Sequence, residues 1–292
     1  MFDVLRRDRQ LGAVGRALIH RQIRQFSPDL LLTTRHAVRL GPSRLADLCS
    51  RCRSALWFFD PIPQAGVMDL ARLVDESYIT YAAQLPAWRA SGVTSVRFLP
   101  HGVDPDVDRP GVARDAYRCD VSFVGSGPYP YRWPLLQRIA ASGHQLQIRG
   151  PGWHGAPPDL PIAGGEIRDA GLTDVIASAT VSLGAHAVPE QAHDFGSASD
   201  RMWKILGAGG AFLGAWVPGI DHFARDQEHC RWFRDDDEAV TLLDAMLADP
   251  SGTRDMAARG RAHALAEHSY DQRLRLLLQG EGYPLPGLDT TA

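Results

Sequence analysis

The sequence predicts an α/β protein with two domains, each built on a parallel sheet with helices on its faces. Three observations predict this class. Short apolar strand signals alternate with helix signals up to residue 99, a polar segment interrupts them, and the alternation starts again at Cys119. From Asp236 onward the pattern is helical with few strand signals, which predicts a helical C-terminus.

The first domain is expected to cover residues 1–110. Its strands are short apolar runs that end at turn-forming residues, as at Asp60-Pro61, and its helices carry apolar residues at three- and four-residue spacing. The predicted elements are a helix at 11–26, a strand at 29–34, a helix at 42–53, a strand at 54–59, a helix at 66–74, a strand at 77–81, a helix at 84–91 and a strand at 96–99.

A linker is predicted between the domains. The segment 101–118, HGVDPDVDRPGVARDAYR, is polar, contains two prolines and lacks periodicity. We therefore place the domain boundary near residue 110.

The second domain is expected to cover residues 111–279, followed by a loose tail at 280–292 that is rich in proline and glycine. The predicted elements are a strand at 119–124, a helix at 131–142, a strand at 145–149, a helix at 171–178, a strand at 180–184, a helix from Asp200, a strand at 211–215, and helices at 236–248, 251–267 and 270–278.

Composition excludes several classes of protein. The 292 residues include 31 basic and 34 acidic ones in an even mixture, for a net charge of -3, so we expect no nucleic-acid partner. The sequence has no signal peptide at Met1 and no apolar run of about 18 residues or more, which predicts a cytoplasmic protein without a membrane span.

Cysteine and histidine spacing argues against a metal site. Cys49 and Cys52 form a single C-x-x-C pair, with no second pair or finger-like histidine pair to complete a zinc site. We expect no metal ion and no bound cofactor.

A glycine turn follows the first strand of the second domain. Gly125, Ser126 and Gly127 lie between a strand and a helix, where backbone N–H groups can hold a phosphate. Pro130 occupies the position of the third glycine of a dinucleotide fingerprint, so an ordinary tight turn is an equally good interpretation.

Other polar residues follow neighbouring strands. Arg149 and Trp153 come after the next strand, and His186 comes after the one that follows. Because the carboxyl ends of parallel strands share one edge of a sheet, these residues are candidates for ligand contacts. His36 and Asp60 hold the same position in the first domain, where each is a candidate base or an ordinary loop residue.

The stretch DRMWKILGAGGAFLG, from Asp200, is predicted to be a helix, a glycine turn and a strand. Arg201 and Lys204 are three residues apart on the helix and share a face that differs from the buried one. Gly209 belongs to the turn that ends the helix. The two cations indicate an anion site, although solvated surface charges would give the same pattern.

The motifs occur in an order that resembles a known family. The segments PHGVDPDVDRP, CDVSFVGSG, DRMWKILGAGGAFLG and PGIDHFARDQEHCRWF are followed by DPSGTRDMAARGRAHALAEHSYDQRLRLLL. In this order they are similar to the spore-maturation-type glycosyltransferases of GT-B architecture, over nearly all of the chain after residue 95. The stretch from Ser27 to Pro63 is similar more loosely.

The resemblance implies two facing Rossmann-like domains, with a nucleotide-sugar donor mostly on the C-terminal domain and the acceptor toward the N-terminal one, and no metal requirement. It places Gly125, Ser126 and Gly127 at the donor diphosphate. Arg149 and Trp153 would lie near the base, while Arg201 and Lys204 would lie under the phosphates and ribose.

The sequence departs from the wider retaining group in two respects. The two glutamates of that group align with Gly196 and Lys204, and lysine cannot accept hydrogen bonds from ribose hydroxyls. The usual first strand and its glycine-rich loop are missing from the start of the sequence, which implies either a reduced N-terminal domain or a true start that lies upstream.

The leading hypothesis is transfer of a sugar from a nucleotide-diphospho-sugar to a sugar, lipid or protein acceptor. Asp60, His36, Arg201 and Lys204 are the catalytic candidates, and the cations would stabilise the departing diphosphate. The alternatives are a non-catalytic relative that binds a nucleotide or glycan, and a nucleotide-sugar epimerase.

Overall fold

A computed structural model describes residues 12–189 and 194–287, and these residues form two compact units. Unit 1 comprises the described residues up to Pro100 together with Leu276–Pro284. Unit 2 comprises His101–Arg275 and Leu285–Gly287. Each unit contains a parallel sheet, and the C-terminal part is helical, so the predicted α/β class is confirmed.

Unit 1 has a four-stranded sheet in the order β1-β2-β3-β4, with every neighbouring pair parallel. The inner strand β2 is apolar from Ala55 to Phe58, and Ala55, Leu56 and Phe58 are almost completely buried. Continuous apolar strands are typical of a sheet that is covered on both faces. The elements are α1 (Ala13–Phe26), β1 (Leu30–Thr33), α2 (Pro42–Cys49), β2 (Arg53–Phe58), α3 (Val67–Leu73), β3 (Glu76–Ile79), α4 (Leu85–Ala90) and β4 (Val96–Phe98).

The segment Leu276–Pro284 packs within unit 1, whereas residues up to 279 were expected in the second domain and 280–292 as a loose tail. Arg53 donates hydrogen bonds to the carbonyl oxygens of Leu277 (2.8 Å) and Leu278 (2.6 Å), and it also pairs with Glu76. The N–H of Tyr283 donates to the carbonyl of Phe98 at 2.7 Å. These contacts explain why the segment belongs to unit 1.

The chain passes from unit 1 to unit 2 at Pro100–His101, about ten residues before the expected boundary near 110. The intervening residues are fixed to unit 2. Val103 exchanges backbone hydrogen bonds with His268 and Tyr270, each at 2.9 Å, and Asp108 is buried. Polar composition predicted a linker here, but the backbone pairing makes the segment part of the unit.

Unit 2 has a six-stranded parallel sheet in the order β10-β9-β8-β5-β6-β7. Its elements are β5 (Cys119–Val124), α5 (Trp133–Ala141), β6 (Leu146–Arg149), β7 (Ile162–Gly164), α6 (Asp169–Ser178), β8 (Ala179–Gly184), α7 (Asp200–Gly207), β9 (Phe212–Ala215), β10 (Arg231–Phe233), α8 (Asp236–Ala248), α9 (Pro250–Glu267) and α10 (Tyr270–Gln279).

The strand order of unit 2 reverses between β5 and β8. From β5 the chain builds outward through β6 and β7 on one side, and it then returns to place β8, β9 and β10 on the other. The crevice outside the carboxyl ends of two such strands is where open α/β sheets bind ligands. The strand order therefore predicts a ligand site beside Val124 and Gly184, the last residues of β5 and β8.

The strands β7 and β10 were not predicted. Both have only three residues and lie at the edges of the sheet, and β7 is partly exposed. Short edge strands lack the continuous apolar run by which a buried strand is recognised. No helix among the described residues is long and apolar enough to cross a membrane.

Candidate active site

A pocket of about 310 Å³ lies at the carboxyl ends of β5 and β8. Its lining includes Val124 from β5, the loop residue His186 after β8, and Ser199 at the start of α7. Arg201 and Lys204 also line it, so the structure brings together the two cations that the sequence placed on one helix face. The pocket therefore lies at the reversal of strand order.

Helix α7 presents these cations because its other side is in the core. Met202, Ile205 and Leu206 are at most 4% exposed, as the sequence pattern predicted. The hydroxyl of Ser199 caps the helix by accepting a hydrogen bond from the N–H of Met202 at 3.3 Å. Ser199 and Asp200 both line the pocket, so the start of α7 lies beside it.

Arg201 spans the two central strands. Its Nε donates to the carbonyl of Val124 at 2.8 Å and its Nη1 to the carbonyl of Ala185 at 3.2 Å. The guanidinium also lies 4.7 Å from the centre of the Phe123 ring. These contacts fix the side chain across the crevice and leave its positive charge in place, because carbonyl oxygens are neutral.

Lys204 has a structural partner. Its Nζ lies 3.5 Å from Oδ1 of Asp108, which is 3% exposed, and 3.8 Å from Oδ1 of Asp200. Burial raises the pKa of Asp108, while its hydrogen bond from the N–H of Asp104 and the charge of Lys204 oppose that shift. Lys204 therefore offsets a buried carboxylate in addition to lining the pocket.

The glycine turn does not offer its glycine N–H groups to a ligand. The N–H of Gly125 donates to the carbonyl of Arg149 at 2.9 Å, and that of Gly127 donates to the carbonyl of Pro151 at 2.8 Å. The expectation that these N–H groups would hold a phosphate is therefore wrong, because the backbone of the β6 loop already accepts them.

Gly125 has a different role. A Cβ at this position would lie 2.6 Å from Nη2 of Arg201, 3.0 Å from Nη1 of Arg132 and 2.9 Å from Cζ of Phe123. Such distances are shorter than real Cβ contacts, so the missing side chain makes room for two guanidinium groups. Gly127 is needed for a similar reason, since a Cβ there would lie 2.5 Å from Cα of Trp153.

Trp153 and Arg149 are not part of the pocket lining. Trp153 is 9% exposed, packs edge-on against Phe123 and donates from Nε1 to the carbonyl of Gly125 at 3.1 Å. Arg149 lies over the ring of Tyr117 and contacts Gln147. Arg149 is the last residue of β6 and Trp153 follows that strand, which lies one strand beyond the reversal of strand order and explains their absence from the crevice.

Gly209 also lies outside the pocket lining. It lies in the turn between α7 and β9 with a φ of 78°, whereas the pocket is lined by Asp200 at the start of α7 and by Ala215 at the end of β9. A helix between parallel strands runs back along the sheet, so its two ends lie at opposite edges.

Arg132 is a pocket residue that sequence reasoning missed. It is 4% exposed, and its Nη1 donates to the carbonyl of Ser126 at 3.1 Å. Burial and the neighbouring Arg201 lower the pKa of Arg132 to about 9. Its place in PYRWP, just before a helix, resembles an ordinary surface arginine, and only the packing reveals that it is buried.

His36 and Asp60 lie together in unit 1, at the ends of β1 and β2. Both line a mostly apolar cavity of about 740 Å³. Asp60 forms an ion pair with Arg35 at 2.6 Å. The sequence therefore identified two residues that share a cavity, but it did not identify the arginine that neutralises Asp60.

Gly196 and Lys204, which the resemblance aligns with two glutamates of the wider group, each have a structural role. Gly196 has a φ of 66°, which favours glycine, and the side chain of Leu285 fills the space that a Cβ would need. A glutamate there would require a different backbone. At the other position, Lys204 pairs with Asp108.

Metal ligands are not clustered in the described ranges 12–189 and 194–287, where no group of three histidine, cysteine, aspartate or glutamate side chains is suited to an ion. Cys49 and Cys52 are free thiols, and burial raises the pKa of each.

Comparison with known proteins places the site in a family context. The sequence model of the family described as glycosyl transferase-like matches residues 132–279. No curated protein sequence matches the chain.

Solved structures share the fold at low sequence identity. Sucrose-phosphate synthase from Thermosynechococcus elongatus superposes with a TM-score of 0.64 at 13% identity, over 90% of this chain and 75% of that one. Anabaena HepE in complex with UDP-glucose gives 0.64 at 12% identity, over 93% and 83%. Trehalose 6-phosphate synthase from Burkholderia multivorans gives 0.60 at 14% identity, over 91% and 75%. These likenesses confirm the predicted GT-B fold.

Proposed function

Because this chain belongs to the glycosyl transferase-like family, and is thus an enzyme of the glycosyltransferase class, we propose that its donor is a nucleotide-diphospho-sugar bound in the unit 2 pocket. The observation that carries the proposal is the position of Arg201. Two carbonyl hydrogen bonds hold it across the ends of β5 and β8, with Lys204 on the same helix face.

In this proposal the chain positions the donor and stabilises the departing diphosphate. Negative charge builds up on the diphosphate as the bond to the sugar breaks, and fixed cations stabilise that charge without having to reorganise. Arg201 and Lys204 would supply these charges without a metal ion or bound cofactor. His186, which also lines the pocket, is proposed to contact the same ligand, and so is Ser126, whose carbonyl accepts from the pocket residue Arg132.

The acceptor is proposed to bind in unit 1, where His36 and Asp60 line the apolar cavity. Either side chain would accept a proton from an acceptor hydroxyl, as a general base does. Asp60 forms an ion pair with Arg35. The chemical nature of the acceptor, a sugar, a lipid or a protein, is tested separately from the donor.

A finer assignment, to the spore-maturation type, is also part of the proposal. The order of the motifs after residue 95 supports it. HepE, which has a similar fold, binds UDP-glucose, so uridine nucleotides are the first donors to test.

Loss of both family glutamates favours a second candidate function, a relative that binds a nucleotide or glycan without catalysis. Gly196 and Lys204 stand at those positions, and neither provides a carboxylate. A nucleotide-sugar epimerase is a third possibility on the same architecture.

The test begins with a thermal-shift panel of nucleoside diphosphates. A ligand at 100 times its Kd adds about 2.7 kcal/mol to stability. The best nucleotide is then supplied as its sugar conjugate, and the products are measured. Release of nucleoside diphosphate together with a glycosylated acceptor supports sugar transfer. Binding without turnover supports the second function, and conversion of the sugar without its release supports the third.

A further inference from the structure

Arg132 is buried in an unusual setting for a charged residue. Its guanidinium lies 5.4 Å from the centre of the Phe123 ring and 5.0 Å from that of Tyr129. Nη1 donates to the carbonyl of Ser126, and Nε has no hydrogen-bond partner among the described residues. No carboxylate in the described part of the chain pairs with it. Among the residues that the structure describes, Arg132 is therefore a buried cation without a neutralising carboxylate.

A second cation lies beside it. Both guanidiniums approach the Cα of Gly125, since a Cβ on this glycine would meet Nη2 of Arg201 and Nη1 of Arg132. Both arginines line the pocket at the reversal of strand order. Two like charges repel each other in a poorly solvated place, so a multivalent anion between them would relieve the repulsion.

We propose that Arg132 is a second donor-binding residue, which acts with Arg201 to select a diphosphate over a monophosphate. This inference rests on the proposed function of the same pocket. One phosphate offers a small charge that Arg201 and Lys204 can balance. A diphosphate carries more charge and more acceptor oxygens, and it engages the additional guanidinium.

The experiment measures the Kd of inorganic pyrophosphate and of inorganic phosphate by titration calorimetry, for the wild type and for Arg132→Met. Loss of a charge-assisted contact should weaken pyrophosphate binding by about ten- to a hundredfold, with phosphate binding changed much less. The melting temperature should stay level or rise, because methionine removes an unneutralised buried charge and keeps much of the volume.

Arg138→Met is the matched control. Arg138 lies on α5 and its side chain is 55% exposed, beside Asp237, so the variant makes the same change in net charge outside the pocket lining. It should bind pyrophosphate as the wild type does. An Arg132→Met protein that keeps the wild-type preference for pyrophosphate would overturn the inference, and so would one that merely melts lower.

Arg132→Lys is the second variant, should Arg132→Met fail to fold. Lysine keeps a point charge but lacks the planar fork, so a reduced preference for pyrophosphate is expected here too. An unchanged preference would overturn the inference. The proposed function fails separately, when the wild type binds neither UDP nor pyrophosphate.

Discussion

Arg201 joins helix α7 to the ends of two strands, and it also lines the pocket. We expect Arg201→Met to lower nucleoside diphosphate affinity by about ten- to a hundredfold, the effect of losing a charge-assisted contact to phosphate. Calorimetry with UDP measures this. Arg138→Met, on an exposed side chain, should bind UDP normally. Equal affinity in Arg201→Met and the wild type would mean that the arginine only braces the strand ends.

Lys204 contributes to stability as well as lining the pocket, because its partner Asp108 is buried. Lys204→Ala should destabilise the fold by about 1–3 kcal/mol, since it leaves this carboxylate without its cation. Urea unfolding gives the change in free energy. Asp108→Asn in the same chain should restore much of the loss, and additive effects of the two substitutions would contradict the pairing.

Lys204→Glu tests whether the family glutamate fits this position. It would place a third carboxylate near Asp108 and Asp200, so we expect a lower melting temperature than for Lys204→Ala. Nucleotide affinity should also fall below that of the alanine variant. A glutamate variant that binds as well as the wild type would show that the site still favours a ribose acceptor.

At the scale of elements, the turn after β5 is set by close packing. Gly125→Ala should displace both neighbouring arginines and press on the buried ring of Phe123, with a loss of about 1–3 kcal/mol and weaker pyrophosphate binding. Unfolding and titration measure the two effects. Gly165→Ala is the matched control, because a Cβ on Gly165 has no heavy atom within 4 Å and its φ is not positive. If the two alanine variants behave alike, the crowding at Gly125 has no consequence.

The local sequence pattern predicted the helices and strands well where apolar residues form a continuous run or recur at helical spacing. The run CDVSFV reads as a covered strand, and β5 has those bounds. The face of α7 that holds Arg201 and Lys204 followed from helical spacing in the same way. Contacts distant in sequence were not predictable from such patterns. Arg132 meets Arg201 only through the packed turn, and Lys204 meets Asp108 across about a hundred residues of chain.

At the scale of the whole molecule, buried histidines should make stability depend on pH. Burial lowers the pKa of His268 to about 2, and burial together with His263 lowers that of His229. The ordinary pKa of about 6.5 holds in the unfolded chain, which therefore binds more protons below that pH. Stability should be fully present above pH 6.5 and fall as the pH decreases.

The expected change in the free energy of unfolding follows from the same difference in proton binding between the folded and unfolded chain. Between pH 7.5 and 5.5, His268 alone should remove about 1.4 kcal/mol. Urea midpoints at the two pH values measure the effect. His268→Gln should flatten the dependence, provided that the variant folds. A wild-type protein equally stable at both pH values would show that the buried ring charges without a penalty.

The stability of unit 1 is expected to depend on the segment Leu276–Pro284, which belongs to it. A protein that ends at Arg275 lacks the carbonyls of Leu277 and Leu278 that Arg53 contacts, as well as the bond from Tyr283 to β4. We expect faster amide exchange in β2, β3 and β4 of this shortened protein, measured by hydrogen exchange with mass spectrometry. The central strands β5 and β8 of unit 2 should exchange as in the full chain, and unchanged protection of β2 would contradict the expected role of the segment.

The return of Leu276–Pro284 to unit 1 also has a consequence for biosynthesis. Domains usually fold in the order in which the ribosome releases them, with the N-terminal one first. Here the strands of unit 1 emerge first, yet the segment Leu276–Pro284 that packs with them follows every strand of unit 2 in the chain. All six strands of unit 2 are therefore made before unit 1 receives this segment. During translation, the strands of unit 1 stay exposed to chaperones and proteases over the whole time in which the sheet of unit 2 is synthesised.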